Sequence, residues 1–490
     1  MRTTDRIHGP GVRTARRPAA LLLSLALGLS GCATVATDGG LHGVQNQMPA
    51  SAQAILGQPA SDAPLTWQRS AEDRQAVAQR VAELLAQPLD AERAVQIALL
   101  NHRGLQAAYA EVGISDAERV QASRLANPGF SFGRSSKGDE REIERGIHVN
   151  LARLLFMPTL SRLGDQQLQQ TQLQVAQKAL QVAAEARKAH VEAVAAQERR
   201  RYMQQVMQAA EASATLAQRM AQVGNFNRLQ QAREQGFHAE AALGLARAQR
   251  AEHAARERLI RALGLWGAQT AFTLPERLPD LPATLPDRPE VEREAMAQRL
   301  DVKAAVAATE STARSLGLTR QTRLINVLEV GGKRASSNEE PTTTGWEVSL
   351  ELPLFDWGGA RVARAEAVYL QALDRAADTA IRARSEVREA YVNQRTTYDI
   401  ARHLRDEVVP LQQRISEENL LRYNGMLIGV FDLLADARAQ VHSVAAYLDA
   451  LRDFWVAQAD LDLAMVSSPS LSAPSGGNSP ALPASGNAPH

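Results

Sequence analysis

A 490-residue chain with a single cysteine offers thiol chemistry at one place only, Cys32. The other reactive side chains are scattered. Ten histidines show no HExxH or comparable ligand pairing, and neither Gly331-Gly332 nor Gly358-Gly359 follows the GxxxxGK[ST] spacing that cradles phosphate. Met203 and Met207 stand at i, i+4, a spacing that suits Cu(I) thioether ligation but is far more often packing. Asp432 and Asp436 share one helix face. The sequence thus carries no catalytic motif, no cofactor site and no metal site, and an enzyme reading has nothing behind it.

The chemistry at Cys32 is legible from its neighbours. Arg2, Arg6, Arg13, Arg16 and Arg17 form a basic segment, and Ala19 to Leu29 an apolar run too short to span a membrane and right for a signal peptide. Leu29-Ser30-Gly31-Cys32 resembles the lipobox of bacterial lipoproteins. In that motif the cysteine sulfur takes a diacylglycerol, cleavage removes residues 1–31, and the new N-terminus takes an N-acyl chain. Ala33 follows where an Asp favours retention at the inner membrane, which points to the outer membrane.

The chain is formally +1; with five Arg and one Asp ahead of Cys32, the remainder is −3. Nucleic-acid binding is therefore not expected. Aromatics are only 4%, and long stretches are rich in Ala, Gln, Arg, Glu and Leu, the composition of long helices. No run after Cys32 is apolar enough for a transmembrane helix. Residues 32–64 read as an extended lipidated tether and 467–490 as a disordered tail.

Between these ends lie two similar halves, 65–273 and 290–466, joined by a Pro-rich linker at 274–289. Each half reads as a modest helix, two short strands, a breaker, a long helix, a glycine turn and a second long helix. The strands fall near 130–134 and 146–151 in the first half, and near 324–330 and 344–352 in the second. Phe156 matches Phe355 and Gly224 matches Gly425, markers of an internal duplication. From Thr159 to Val223 only Gly164 interrupts a helical pattern, and Val175, Ala179, Val182, Ala186 and Ala189 make a heptad seam. Ile147, Val149 and Leu151 alternate with His148 and Asn150, and Trp346, Val348, Leu350 and Leu352 with Glu347, Ser349 and Glu351. This is the pattern of strands with one apolar and one polar face. The polar stretches "SSKGDERE" and "GGKRASSNEEPTTT" read as loops between them. In lipid, four strands cannot close a barrel, so copies must pool their strands.

This order of elements resembles the TolC family of outer-membrane efflux factors, in the lipoprotein branch that includes OprM and CusC. The matching stretches are "LPLFDWGGARVARAEA", "VVPL" and "YNGMLIGVFDLLADARAQ" in the second half, with looser matches at "AVQIALLNHRGLQAAYAE" and "QVGNFNRLQ" in the first; together they cover roughly residues 80 to 466. The resemblance implies a mainly α fold with a small β part. Long antiparallel helical hairpins would form a periplasmic tunnel, and four strands per chain would join a trimeric twelve-stranded transmembrane barrel. It also implies a passive exit duct, with a periplasmic membrane-fusion adaptor and an inner-membrane pump of the RND type as partners beside the homotrimer and outer-membrane lipid.

By the same resemblance His148, Asn150, Glu347, Ser349 and Glu351 line the barrel lumen, Gly224 and Gly425 make the periplasmic tip turns, and Asp432 and Asp436 are aperture candidates; a solvated helix face explains the two aspartates equally well. Arg219 and Arg422 either cap helix ends or meet the adaptor. The competing reading is a lipid-anchored periplasmic coiled-coil adaptor or envelope scaffold whose strands stay out of the bilayer.

Overall fold

The computed structural model describes residues 34–62, 65–323, 328–351 and 354–469. Cys32 and the segment from 470 onward lie outside the described residues, as do 324–327 and 352–353 at the ends of two expected strands. No described helix is long and apolar enough to cross a membrane.

The first half runs α1 (Leu41–Gln47), α2 (Gln53–Leu56), α3 (Ala71–Leu85), α4 (Ala91–Asn101), α5 (Arg103–Ala122), β1 (Gly129–Lys137), β2 (Glu140–Asn150), α6 (Leu151–Gln222) and α7 (Arg228–Leu263). The second runs α8 (Val291–Gln298), α9 (Leu300–Thr322), β3 (Leu328–Ser337), β4 (Thr343–Leu350), α10 (Gly359–His403), α11 (Val409–Asn424) and α12 (Val430–Ala464). The duplication is visible in the elements. α5 ends at Ala122 and α9 at Thr322, 200 positions on; α7 ends at Leu263 and α12 at Ala464, 201 on.

Each half replaces the single modest helix expected from the sequence by two, broken at one extended residue. In the first that residue is His102 (φ −66°, ψ 114°), whose Nδ1 accepts from the Leu105 amide at 3.2 Å. In the second it is Arg299 (φ −57°, ψ 126°). Its buried guanidinium bonds Asp301 (2.5 Å), Glu386 (2.6 Å) and the Ala464 carbonyl (3.0 Å), tying the break to α10 and to the end of α12.

The 72-residue α6 is the spine. Val175, Ala179, Val182, Ala186 and Ala189 are all buried, as the heptad seam predicts, and the methyl side chains let neighbouring helices approach closely. Gly164 does not stop the helix: a Cβ there would stand 3.2 Å from the Cα of Arg119, so this glycine is where α5 crosses. Nor does Pro158 break it. The helix starts at Leu151, capped by Asn150, and carries Pro158 in its interior. A proline's cost of about 3 kcal/mol is local, and packing along the rest of the rod outweighs it. In the second half the rod is interrupted before Pro410 by a π-helical segment, Leu404–Val408, whose wider turn accommodates a residue with no N–H to give.

Most of the segment expected to be an extended tether, and the first residues of the expected tail, are packed instead. Within the expected 32–64 tether, α1 and α2 bury Leu41, Val44, Ile55 and Leu56 against the α6 rod, and Arg187 donates to the Ile55 carbonyl at 3.0 Å. With Met48 just after α1 these make five large apolar residues spaced to fill a groove, hidden by the small and polar composition around them. At the other end Ser467 and Ser468 are buried, with Ser468 donating to Glu386 at 3.2 Å. The Pro-rich linker is also ordered. Its carbonyls lack partners within the linker, and Gln197, Tyr398, Arg405 and Trp455 donate to them from α6, α10, the π segment and α12.

His190 is buried where α6 meets the start of α4, its Nε2 bonded to the Leu89 carbonyl at 2.6 Å and its Nδ1 unpartnered among the described residues. Burial holds its pKa below the ordinary histidine range, Arg187 adds to this, and the Leu89 carbonyl and Asp90 oppose it. The unfolded chain therefore takes up this proton first, and stability is intact near neutrality and lost as pH falls below about 6.5. Replacing His190 by Gln is expected to flatten the fall in thermal midpoint between about pH 7 and pH 5 relative to the native chain. Equal slopes in scans of both proteins would contradict this.

Candidate functional site

Two places in this fold hold the residues that bear on function: the sheet at one end of the helices and the hairpin turns at the other. The sheet has the order β1-β2-β3-β4, all antiparallel, with β1 and β4 as free edges. Its strands have 9, 11, 10 and 8 residues, the first three longer than the alternation alone suggested. The stretches expected to be loops are largely strand: β1 and β2 run on through "SSKGDERE" to a turn at Gly138 (φ 63°), and β3 continues to Ser337. Hydropathy hid them, because Glu and Arg alternate there. The pairing register carries these polar residues on as ladder. Strands of this length match the roughly 9–11 residues that a tilted strand needs to cross a bilayer.

Register sorts the side chains cleanly. One face carries the rows Leu328–Leu350, Val149–Val330–Val348 and Phe130–Ile147–Gly332–Trp346, then Phe132 beside Arg145 and Arg334. These apolar side chains are open to solvent, Phe130 at 66% and Trp346 at 80%. Leu354, Phe355 and Trp357, ahead of α10, are exposed as well. A contiguous apolar face of this size marks a surface that something covers.

The opposite face holds His148 and Glu347 in one row with Gly129 and Gly331, and Ser349 in the next with Asn150 and Glu329. The His148 ring lies over Gly129, where a Cβ would overlap it. Lys333 stands 3.9 Å from both Glu144 and Glu347. Five glutamates (Glu140, Glu142, Glu144, Glu329, Glu347) face two lysines (Lys137, Lys333) on this side, so it is net acidic. Asn150 has a second task that the sequence reading missed: its side chain accepts from the Arg153 amide at 2.8 Å and caps α6. Glu351 follows directly after β4.

At the far end, Gly224 lies between α6 and α7 with φ 81°, and the amides of Asn225 and Phe226 fold back onto the Met220 carbonyl. Gly425 lies between α11 and α12, but its φ of −79° is ordinary; the left-handed residue of that turn is Met426 (φ 57°). Gly224 thus supplies the left-handed stop that a glycine favours at a helix end, whereas at Gly425 the chain reverses one residue later. Val223, Leu229, Leu421, Met426 and Leu427 all stand exposed around the two turns.

Arg219 and Arg422 occupy the last turns of α6 and α11, where a cation complements the helix dipole. Asp436 is half-buried and accepts from Asn419 across the hairpin. Asp432 lies in α12, but its side chain falls outside the description. Glu234, nearly fully buried, joins the two halves through Arg438 (2.9 Å) and accepts from Ser213 of its own half (2.8 Å). Met203 and Met207 pack with Tyr202 and Phe237 around Val206, Ala210 and Ala241.

No family model matches the sequence, and no curated protein matches it. Solved structures do. The chain is similar to a membrane protein from Pseudomonas aeruginosa, with a TM-score of 0.67 and 20% identity over 76% of this chain and 92% of that one. It is similar to the open-state MtrE outer-membrane channel of Neisseria gonorrhoeae, at 0.64 and 18% over 77% and 89%. It is also similar to the outer-membrane channel OprN, at 0.63 and 15% over 94% and 98%. The chain has the fold of these channels, long helical hairpins carrying a small antiparallel sheet.

The two tip turns differ in what they tolerate. Gly224→Val forces a branched side chain into the left-handed region, costing about 1–2 kcal/mol, whereas at Gly425 a Cβ meets atoms no closer than 3.5 Å. Hydrogen exchange of the amides at 220–228 is expected to speed up markedly in Gly224→Val, with those at 420–430 little changed in Gly425→Val. Equal effects at both turns would contradict this.

Proposed function

We propose that the chain is the outer-membrane exit channel of a tripartite efflux system, a member of the TolC family's lipoprotein branch. The observation that carries this reading is the sheet: one largely apolar face open to solvent, one acidic face, and two edges with no strand partner among the described residues. In lipid, unpaired edge groups are untenable and only closed barrels survive. Three copies would pair β4 of one with β1 of the next, closing twelve strands with the apolar face toward lipid. His148, Glu347, Ser349 and their neighbours would then line the exit lumen.

The helices support the same assembly. Leu370, Ile381 and Val392 recur every eleven residues on α10, a spacing that returns to one face after three turns, and all three are exposed in the single chain. Neighbouring copies would cover this stripe and complete a tunnel. Leu354, Phe355 and Trp357 would fall at the periplasmic boundary of the outer membrane, where an aromatic belt sits. Cys32, acylated by a diacylglycerol and an N-acyl chain, would anchor each copy. The exposed apolar residues around Gly224 and Met426 offer the periplasmic adaptor its contact, with Asp432 and Asp436 at the aperture. An inner-membrane pump of the RND type would supply the energy, so the chain conducts passively and performs no chemistry.

Native mass spectrometry of protein extracted from the outer-membrane fraction tests this. Trimers are expected, each subunit beginning at Cys32 with added lipid mass. A lipidated monomer absent from that fraction would overturn the channel and leave the periplasmic scaffold.

A further inference from the structure

The apolar face of the sheet does not stay apolar to its loop end. Along β2 the sequence from Glu140 to Arg145 alternates strictly, Glu140, Glu142 and Glu144 on the acidic face and Arg141, Ile143 and Arg145 on the apolar one. The register adds Arg134 from β1 and Arg334 from β3 to the same side. Four arginines therefore cluster at the loop end of the outward face, and no carboxylate of β1–β4 shares that face. Arg145 and Arg334 are direct cross-strand partners, a like-charge pair whose Cβ atoms stand roughly 5 Å apart and which costs stability when nothing neutralises it. None of the four makes an ion pair among the described residues.

We propose that these arginines form a collar that binds the phosphate groups of an anionic lipid in the leaflet next to the loops. The inference rests on the channel reading, which turns this face toward the bilayer. The neighbours fix the ligand class. Phe132 lies in the same row as Arg145 and Arg334, Ile143 stands between the rows of Arg145 and Arg141, and Phe130, Ile147 and Trp346 occupy the next row toward the helices. A free anion would meet the guanidinium groups but leave this apolar surface bare. A lipid fills both, its phosphates bridging the arginine fork donors and its acyl chains lying along the rows below. Sorting all the sheet's glutamates onto the other face keeps carboxylates from competing for the same donors.

The test titrates the detergent-purified full-length assembly with diphosphoryl lipid A, with lipid A stripped of both phosphates, and with inorganic phosphate. The diphosphoryl form is expected to bind, and Arg145→Gln with Arg334→Gln to weaken it by roughly 30-fold. Arg145→Lys with Arg334→Lys, which keeps both charges, should retain most of the affinity. Lys333→Gln, on the opposite face, should leave it unchanged. Equal binding of the dephosphorylated lipid, or no loss in the double Gln variant, would overturn the collar. Displacement of the lipid by equimolar inorganic phosphate would overturn the assignment to a lipid. Failure of the channel reading would show separately, as a chain that yields no detergent-stable oligomer before any lipid is added.

Discussion

Backbone hydrogen bonding at the sheet's two free edges governs what this chain can be. β1 and β4 each present a row of N–H and C=O groups with no partner, on a sheet whose one face is Phe, Trp, Val, Leu and Ile in the open. In water such an edge invites pairing; in hydrocarbon each unmatched group costs several kcal/mol. On the proposed channel reading the apolar face meets lipid, and the edges forbid that to an isolated chain. Both demands are met only when edges from separate copies pair.

The helices follow from that requirement. A barrel assembled from copies must be held in register by something rigid outside the membrane. The seam of small residues on α6 lets rods pack closely, while the Glu234–Arg438 pair and the linker carbonyls pin one half of the chain to the other. The π segment before Pro410 and the loop before Gly358 break the second rod where the first runs through, so the duplicated halves are similar without being equivalent. The tip turns differ for the same reason: one reverses at a glycine, the other at Met426.

Much of this was legible in the sequence. The duplication, the long rods, the heptad seam and the two-faced strands all show as spacing, and spacing is what the backbone obeys. What escaped was set by tertiary contact. The small, Gly- and Pro-containing segment after Cys32 looked extended because its five large apolar residues count only against the groove they fill. Pro158, which a local propensity reading makes a helix breaker, is carried inside α6 by the packing of the rest of the rod. The alternating Glu and Arg of β2 looked like a loop because polarity was read without register. Of the candidate site residues, His148, Glu347 and Ser349 fall on the expected polar face, while Asn150 doubles as a helix cap and Asp436 is engaged across its own hairpin. No pattern announces a cap or a cross-hairpin bond until the neighbouring strand or helix is in place.

The central claim is that β1 of one copy pairs with β4 of another. Single cysteines stepped along Ser131, Gly133 and Ser135 on β1, combined with cysteines at Thr343, Gly345 and Glu347 on β4, place thiols on the same face of both edges. Oxidised in intact membranes, the matched pairs should give a covalent ladder that stops at three copies. Chains that sit in the outer membrane yet form no interchain bond at any register would contradict it.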